Sequence, residues 1–504
     1  MAIEMSASTA ARQLAWPATV LVAAVVLGAA ATYAPAAALG AAIGALALML
    51  VARDANNALL LSLLILPFIY SPLMEINLFD VPGMKIPNLA LAATLAICLV
   101  KGGMLRSSDR IERRAMIVLG IYFLLFTFEF GRSVLNLDLF HRLVPTQFDD
   151  EPVRYILSFY VRNALFLVPF VFILKHMKGE TDRVLFGLSL AIFIVSCVMV
   201  FAVSRDTSVL GQGRHAIEAL CERYLGFHYN TVGTMYLTVG PLLVYLATTR
   251  NLFGIVNLIL AILVILVLQS RSTLVVFVLT SAITLILIKR TTLLVAGTVA
   301  VGLASGFWLG PTVTALLSIG IDQGSVYSAD ELFTGRVQYI WVPLFKEWLA
   351  DPMLLLFGAG RYGILTSPLW RSGQILKVLH AHNAFLDFFL DSGAILTLLL
   401  IGAVIAGLLW SWRAGRAMKN PLFWALFMCV IAYLIGTLTE RQFFPTYDNI
   451  LLFPVVAVLI NVARRRLADR LPVAPQHPAM PAVAAAPGGG SGTVRMHAET
   501  KQSA

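Results

Sequence analysis

The sequence predicts an all-α polytopic membrane protein of about fourteen transmembrane helices, with one large, partly helical extracytoplasmic loop. Three observations predict it. The 504 residues are 59% hydrophobic and 13% charged, with mean hydropathy +0.84, whereas soluble domains are about half apolar and a quarter charged. Apolar runs long enough to span a bilayer recur along almost the whole chain. The loops between them alternate in charge, basic then acidic.

A span needs roughly 20 mostly apolar residues, fewer where the bilayer is thin. By that measure spans fall at 17–33, 37–52, 58–73, 87–100, 115–132, 156–174, 184–203, 227–248, 252–269, 273–288, 292–311, 384–410, 421–438 and 446–463. Unpaired backbone groups are costly in hydrocarbon, so each run is expected as a helix. The apolar–polar alternation of membrane strands is absent. The first run could pass for a signal peptide, but a second apolar run follows at once and favours an uncleaved hairpin. One set of loops holds Lys101 to Arg114, Lys175 to Arg183, Lys289-Arg290, Arg413 to Lys419 and Arg464 to Arg466. That face carries roughly 22 of 37 Lys and Arg but only about 8 of 27 Asp and Glu, which makes it cytoplasmic, with both termini inside. Residues 1–463 thus read as the membrane domain and 464–504 as a disordered cytoplasmic tail, rich in Pro, Ala and Gly beyond Leu471. Three extracytoplasmic loops are long: 133–155, 204–226 and 312–383. The last is aromatic-rich, and its run from Gly335 to Leu349 has helical spacing that suits the membrane surface.

Composition also excludes functions. The net charge of +10 lies in cytoplasmic loops, which argues against a nucleic-acid partner. Cys98, Cys197, Cys221 and Cys429 have no metal-type spacing, so neither zinc nor a disulfide framework is expected, and no cofactor is implied. Gly358-Ala-Gly360-Arg-Tyr-Gly363 spells a dinucleotide fingerprint, but it lacks a βαβ setting and lies on the side away from nucleotide pools.

The most informative stretch is His380-Ala381-His382-Asn383-Ala384-Phe385-Leu386-Asp387, running through Asp391-Ser392-Gly393 into an apolar helix. It puts an imidazole at the wet rim of a membrane cavity, where a histidine can take a proton from a sugar hydroxyl. Asn383, Asp387 and Asp391 follow at i, i+4 and i+8 and share one helix face. Helix capping alone would also account for the two aspartates. Arg271, in a polar break between two apolar runs, suits a phosphate or a water-filled path, although a snorkelling arginine would look the same. Arg336 and Arg361 are further loop cations, and Arg223 and Asn230 flank another membrane rim. A charged surface loop would explain each of these equally.

Gly335-Arg336, Trp341, Pro352, Phe357-Gly358-Ala359-Gly360, His382-Asn383-Ala384-Phe385-Leu386 and Gly393 together resemble the conserved region of the O-antigen ligase and O-antigen polymerase superfamily. Ser270-Arg271-Ser272 resembles the family's Ser-Arg pair, and Tyr229-Asn230 its Pro-Asn pair with Tyr in place of Pro. The resemblance covers roughly 220–400. It implies a metal-independent glycosyltransferase of the GT-C class. Such an enzyme takes a glycan from undecaprenyl diphosphate at the periplasmic face of the bacterial inner membrane. His382 would serve the acceptor hydroxyl, and Arg271 and Arg336 the diphosphate. Asn383, Asp387, Arg361, Arg223, Asn230 and His380 would line the substrate site. Implied partners are the lipid-linked glycan, a glycan or lipid A-core acceptor and the bilayer, with room for a chain-length regulator. The motifs do not separate ligase from polymerase; about fourteen spans leans towards a polymerase of O-antigen or exopolysaccharide repeats. A transporter or flippase of lipid-linked glycans is the competing class. It would place ionisable residues mid-span, whereas here they cluster near span ends, Glu129 and Arg162 being marginal exceptions.

Overall fold

Hydrocarbon leaves a backbone polar group no partner outside its own segment, and every regular element among the described residues is accordingly helical. A computed structural model describes residues 49–72, 74–75, 85–101, 109–135, 152–249, 251–304, 336–375, 380–438 and 443–468. Six stretches are long and apolar enough to cross a membrane: Arg110–Val134, Phe159–His176, Thr181–Arg205, Tyr229–Thr248, Ala384–Met418 and Tyr447–Arg465. Five apolar helical stretches are shorter. Thirteen of the fourteen expected intervals hold helix, 37–52 only over 49–52; 17–33, 37–48, 305–311 and the tail beyond 468 lie outside the described residues.

The elements are α1 (Asn57–Ile65), α2 (Ile86–Val100), α3 (Arg110–Val134), α4 (Pro152–Leu165), α5 (Val168–His176), α6 (Thr181–Arg205), α7 (Arg214–Leu225) and α8 (Tyr229–Thr248). Then follow α9 (Leu252–Val267), α10 (Arg271–Leu287), α11 (Thr291–Ala304), α12 (Val342–Ala350), α13 (Pro352–Phe357), α14 (Ala384–Met418), α15 (Pro421–Gly436) and α16 (Leu452–Ala468). The expected span at 156–174 is two helices, α4 and α5, with a turn at Phe166–Leu167 just before Pro169. Proline lacks an N–H to continue the helical ladder, so the break falls there.

Helix α8 sits at the centre, packed on α9, α10 and α15, and small residues allow the approach. A Cβ on Gly233 would lie 2.3 Å from Thr273 Oγ1, and one on Gly240 2.7 Å from the Phe277 ring. By contrast, α3 and α14 expose Leu124, Phe128, Leu398 and Leu399, as lipid-facing helices do.

Ion pairs close one end of the bundle. Buried Glu112 meets Lys175 Nζ and Lys178 Nζ at 2.7 Å each and Arg464 Nη2 at 2.9 Å. Arg183 pairs with Asp54 and Glu180, and Asn56 takes Lys101 and reaches Glu180. Asp54 and Asn56, Lys101, Glu112, the stretch from Lys175 to Arg183, and Arg464 therefore meet at one end.

The described part of the large loop is ordered by its own core. Ile340, Leu344 and Trp348, spaced i, i+4 and i+8, are buried with Ile364, Leu365 and Trp370 against Phe389 and Leu390 of α14. The expected surface helix runs from Arg336, with one π-helical turn at Val337–Trp341 leading into α12; Gly335 lies outside the described residues.

Candidate functional site

At the opposite end from Glu112, the chain turns sharply into α14. His382 adopts the left-handed conformation at φ 55°, a region that L side chains with a Cβ normally avoid. Three contacts hold it there. Ala381 N–H donates to Asp387 Oδ1 at 2.6 Å, the Trp341 indole donates to Ala381 O at 2.7 Å, and His382 N–H donates to His380 Nδ1 at 3.3 Å. Asn383 then caps α14, accepting from Phe385 N–H and Leu386 N–H at 3.0 Å each, while its amide donates to Leu438 O. The chain locks to the end of α15 where Ala384 N–H donates to Thr437 O at 2.9 Å.

His382 is partly buried, and its Nδ1 is enclosed without a hydrogen-bond partner among the described residues. Burial, with the positive charge of Arg336 and the nearness of His228, lowers its pKa from the ordinary 6.5 to about 3. The imidazole is therefore neutral at physiological pH. Arg336 and His228 thus lie within electrostatic reach of His382.

The other two membrane rims join each other. His228 caps α8, its Nδ1 accepting from Asn230 N–H at 3.2 Å, and its Nε2 lies 3.2 Å from Glu218 Oε1. Ser270, at the cap of α10, donates to Asn230 Oδ1 at 3.2 Å and accepts from Thr273 Oγ1 at 2.9 Å. Half-buried Arg271 opens α10 directly after it. Asp448 accepts from Thr231 Oγ1 at 3.0 Å beside Tyr447, which stacks edge-on with Tyr70. Arg162 lies over Tyr70 at 5.0 Å and pairs with Glu75, which also takes Lys85.

Asn230, Arg271, Arg336, His380, His382 and Asn383 thus gather at one end of the bundle, with Asp387 supporting the turn. Two candidates are engaged elsewhere. Arg361 is 6% exposed and its Nη1 lies 2.8 Å from Asp391 Oδ2, with the Tyr362 and Phe444 rings against the guanidinium. Its pairing with a buried carboxylate makes it part of the scaffold. Arg223 faces the far side of α7, over Tyr224 and away from His228. His228 and Glu218 were not legible as candidates. Their link joins two helices across a glycine turn, and the only sequence signal was the polar run 222–230 itself.

The false dinucleotide motif has a structural explanation. Gly393 breaks α14 at φ 75°, freeing the Leu390 and Asp391 carbonyls. Ala359 N–H donates to Leu390 O at 2.9 Å and Gly360 N–H to Asp391 O at 2.8 Å. The loop can come that close only without side chains: a Cβ on Gly358 would lie 2.4 Å from Asp391 O, and one on Gly363 2.7 Å from Leu390 O. Arg132 of α3 clamps the same loop through Phe357 O at 2.6 Å and Gly358 O at 2.5 Å, balanced by Glu129 at 3.2 Å.

These features, helical throughout the described residues with six stretches long and apolar enough to cross a membrane, fit a multi-pass membrane protein whose polar site sits at one end of the bundle. Residues 256–401, which hold Arg271, Arg336 and His382, match the family described as O-antigen ligase, and the match bears out the resemblance to the ligase and polymerase superfamily. The family implies a glycosyl-transferring ligase or polymerase working on lipid-linked glycan and acceptor substrates at the inner membrane. No curated protein matches the chain.

Proposed function

We propose that the protein transfers a glycan from undecaprenyl diphosphate to an acceptor sugar hydroxyl at the periplasmic face, as a metal-independent GT-C-class ligase or polymerase. The observation that carries this reading is His382: a neutral imidazole, its enclosed Nδ1 without a partner among the described residues, held in a strained turn within electrostatic reach of Arg336. Strain of this kind persists where surroundings over-determine it, often at functional sites.

In the proposed reaction the acceptor hydroxyl donates a hydrogen bond to His382 and attacks the anomeric carbon of the donor. The C–O bond to the diphosphate breaks, and the leaving diphosphate keeps that electron pair. Arg271 and Arg336 stabilise the charge that develops on it, the kind of electrostatic assistance that dominates many transfer reactions. The hydroxyl proton passes to His382. In the free protein burial weakens that base first, and the positive charge of Arg336 adds to it. A bound diphosphate offsets the Arg336 charge, so that part of the weakening is relieved when donor is in place. Asn383 positions the turn, and Asn230 holds Ser270 next to Arg271.

The test is glycan transfer by membranes carrying His382→Ala or Arg271→Ala in a deletion background. Both variants should be inserted normally and lose transfer at least about 100-fold, the scale of general-base and electrostatic contributions. Full complementation by either would overturn the mechanism. Surface polysaccharide then separates the alternatives. A polymerase defect leaves single repeats attached, and a ligase defect strands long chains on the carrier. A flippase defect holds the lipid-linked unit in the cytoplasmic leaflet.

A further inference from the structure

The helical run through α12 and α13 carries apolar side chains on two sides. One side is the loop core, with Ile340, Leu344 and Trp348. The other side is open. Val342, Phe345 and Leu349, spaced i, i+3 and i+7, lead on to Met353, Leu356 and Phe357 of α13, and all six are exposed. Met353 at 67% is as open as Leu398 at 68%, on the side of α14 that faces lipid. A helix that is apolar all round is normally buried all round, and an open apolar face of this extent marks an interaction surface.

Three observations name a bilayer as the occupant. The first is depth. A Cβ on Gly393 would lie 2.3 Å from Leu356 O, so α13 abuts the break in α14. From that break the uncharged run Ala394 to Trp412 is about one hydrocarbon thickness long, and it ends at Arg413 in a basic stretch. The break, with α13 against it, therefore sits at the boundary of the hydrocarbon. The second is continuity. Phe357 O accepts from Arg132 Nη1, and that guanidinium lies 5.8 Å from the ring of exposed Phe128 on α3. The open face thus runs on into the lipid-facing sides of α3 and α14. The third is the edge. Tyr339 and Lys346, both exposed, lie seven residues apart along one edge of that face, and both residue types reach from hydrocarbon to headgroups.

We propose that the open face of α12 and α13 is embedded in the leaflet at the His382 end, and that this contact holds the His382 turn in place. The link is short. Trp341, in the π-helical turn that leads into α12, donates from its indole to Ala381 O at 2.7 Å, one residue before the strained His382. Arg336 begins the same helical run. Seating α12 in the leaflet fixes the height of Trp341 and Arg336 together, and through Trp341 the backbone of the turn. The docking and the link stand without the proposed transfer reaction; their service to catalysis rests on it.

Depth can be read by electron paramagnetic resonance on the full-length protein in phosphatidylcholine–phosphatidylglycerol vesicles. On a Cys197→Ser background, which removes the exposed native cysteine, Val342→Cys, Leu349→Cys and Met353→Cys each carry a nitroxide. Each label should collide more often with oxygen, which concentrates in hydrocarbon, than with a water-soluble nickel chelate. Leu398→Cys should behave alike, and Arg371→Cys, at an exposed polar position, should show the reverse. Greater access to the chelate at the three positions would overturn the proposal. So would protection from both, which would mean that another protein chain or a second copy covers the face. The link is read by diethyl pyrocarbonate modification of His382, followed by mass spectrometry with fully exposed His215 as internal standard. Leu349→Gln/Met353→Gln should shift the label at position 342 towards the chelate and raise His382 modification about fivefold, the scale of one lost hydrogen bond. Trp341→Phe should raise it as much without moving the label. Unchanged His382 modification in either variant would overturn the link. Neither readout involves glycan transfer, so failure of the transfer mechanism would leave both results standing.

Discussion

At the scale of single residues, His382 and Asn383 were legible because a His-Asn pair beside an apolar run has few structural uses. What the pair needs from its surroundings was not. The acceptor for Ala381 N–H is Asp387, six residues on in the first turn of α14, which the sequence offers equally as a capping acid. Asp387→Ala removes that acceptor, and losing one buried hydrogen bond costs about 1–1.5 kcal/mol, or roughly tenfold. We expect kcat to fall about tenfold with KM for the donor unchanged. Asp387→Asn, which keeps an oxygen at the same place, should restore most of it; equal loss in both variants would mean the charge matters instead. The His382 imidazole yields a second prediction. Its folded pKa of about 3 lies below the unfolded 6.5, so the unfolded chain takes up a proton that the folded one refuses. Its contribution to stability is complete above pH 6.5 and declines as pH falls from there towards 3. A plot of kcat/KM, which reports the free enzyme, should accordingly show no acid limb near pH 6.5 from this group. An acid limb there that disappears in His382→Gln would contradict the enclosed, depressed imidazole.

Among elements, helices and their order followed from hydropathy, but the junction of α13, α14 and α3 did not. It depends on backbone groups, which leave no mark in an apolar run. The glycines at 358, 360, 363 and 393 gave the visible signal, and their spacing resembled a nucleotide motif for an unrelated reason: both uses bring backbone against something polar. Gly358 stands at φ 65° with Asp391 O only 2.4 Å from where a Cβ would be. Gly358→Ala should therefore lower Tm in detergent markedly, since strain of about 1–3 kcal/mol adds to the clash. Gly402→Ala in the same helix as Gly393, with nothing within 4 Å, should leave Tm unchanged or slightly raised. The Arg361–Asp391 pair behaves differently again. Removing one partner strands a buried charge, a loss of about 3–5 kcal/mol, whereas replacing both with apolar residues of similar size is often close to neutral. Arg361→Met and Asp391→Leu should each destabilise strongly and the double variant should recover much of the loss. If Arg361 instead held substrate, the stable double variant would lose transfer to the same extent as Arg271→Ala.

For the whole molecule, charge alternation along the chain anticipated which loops share an end, because each loop's charge survives folding while its contacts are invisible beforehand. Lys101, Lys175, Lys178, Arg183 and Arg464, from three of the basic loops, meet around Glu112 and Asn56, and the rims at 228–230, 270–271 and 382–384 meet at the other end. The positive-inside rule then assigns the Glu112 end to the cytoplasm, because it carries the lysines and arginines. This assignment decides whether His382 faces periplasmic donor, so it merits a direct measurement. Of the native cysteines, Cys98, Cys221 and Cys429 are buried, and Cys197→Ser removes the exposed one. On that background a cysteine at exposed Arg371 should react in intact cells, under a permeable outer membrane, with a maleimide that cannot cross the inner membrane. A cysteine at Lys178, whose side chain is 47% exposed, should react only after the inner membrane is opened. The reverse pattern would put the arginines and His382 on the cytoplasmic side. Transfer from a periplasmic donor would then be impossible, although every contact described around His382 would still stand.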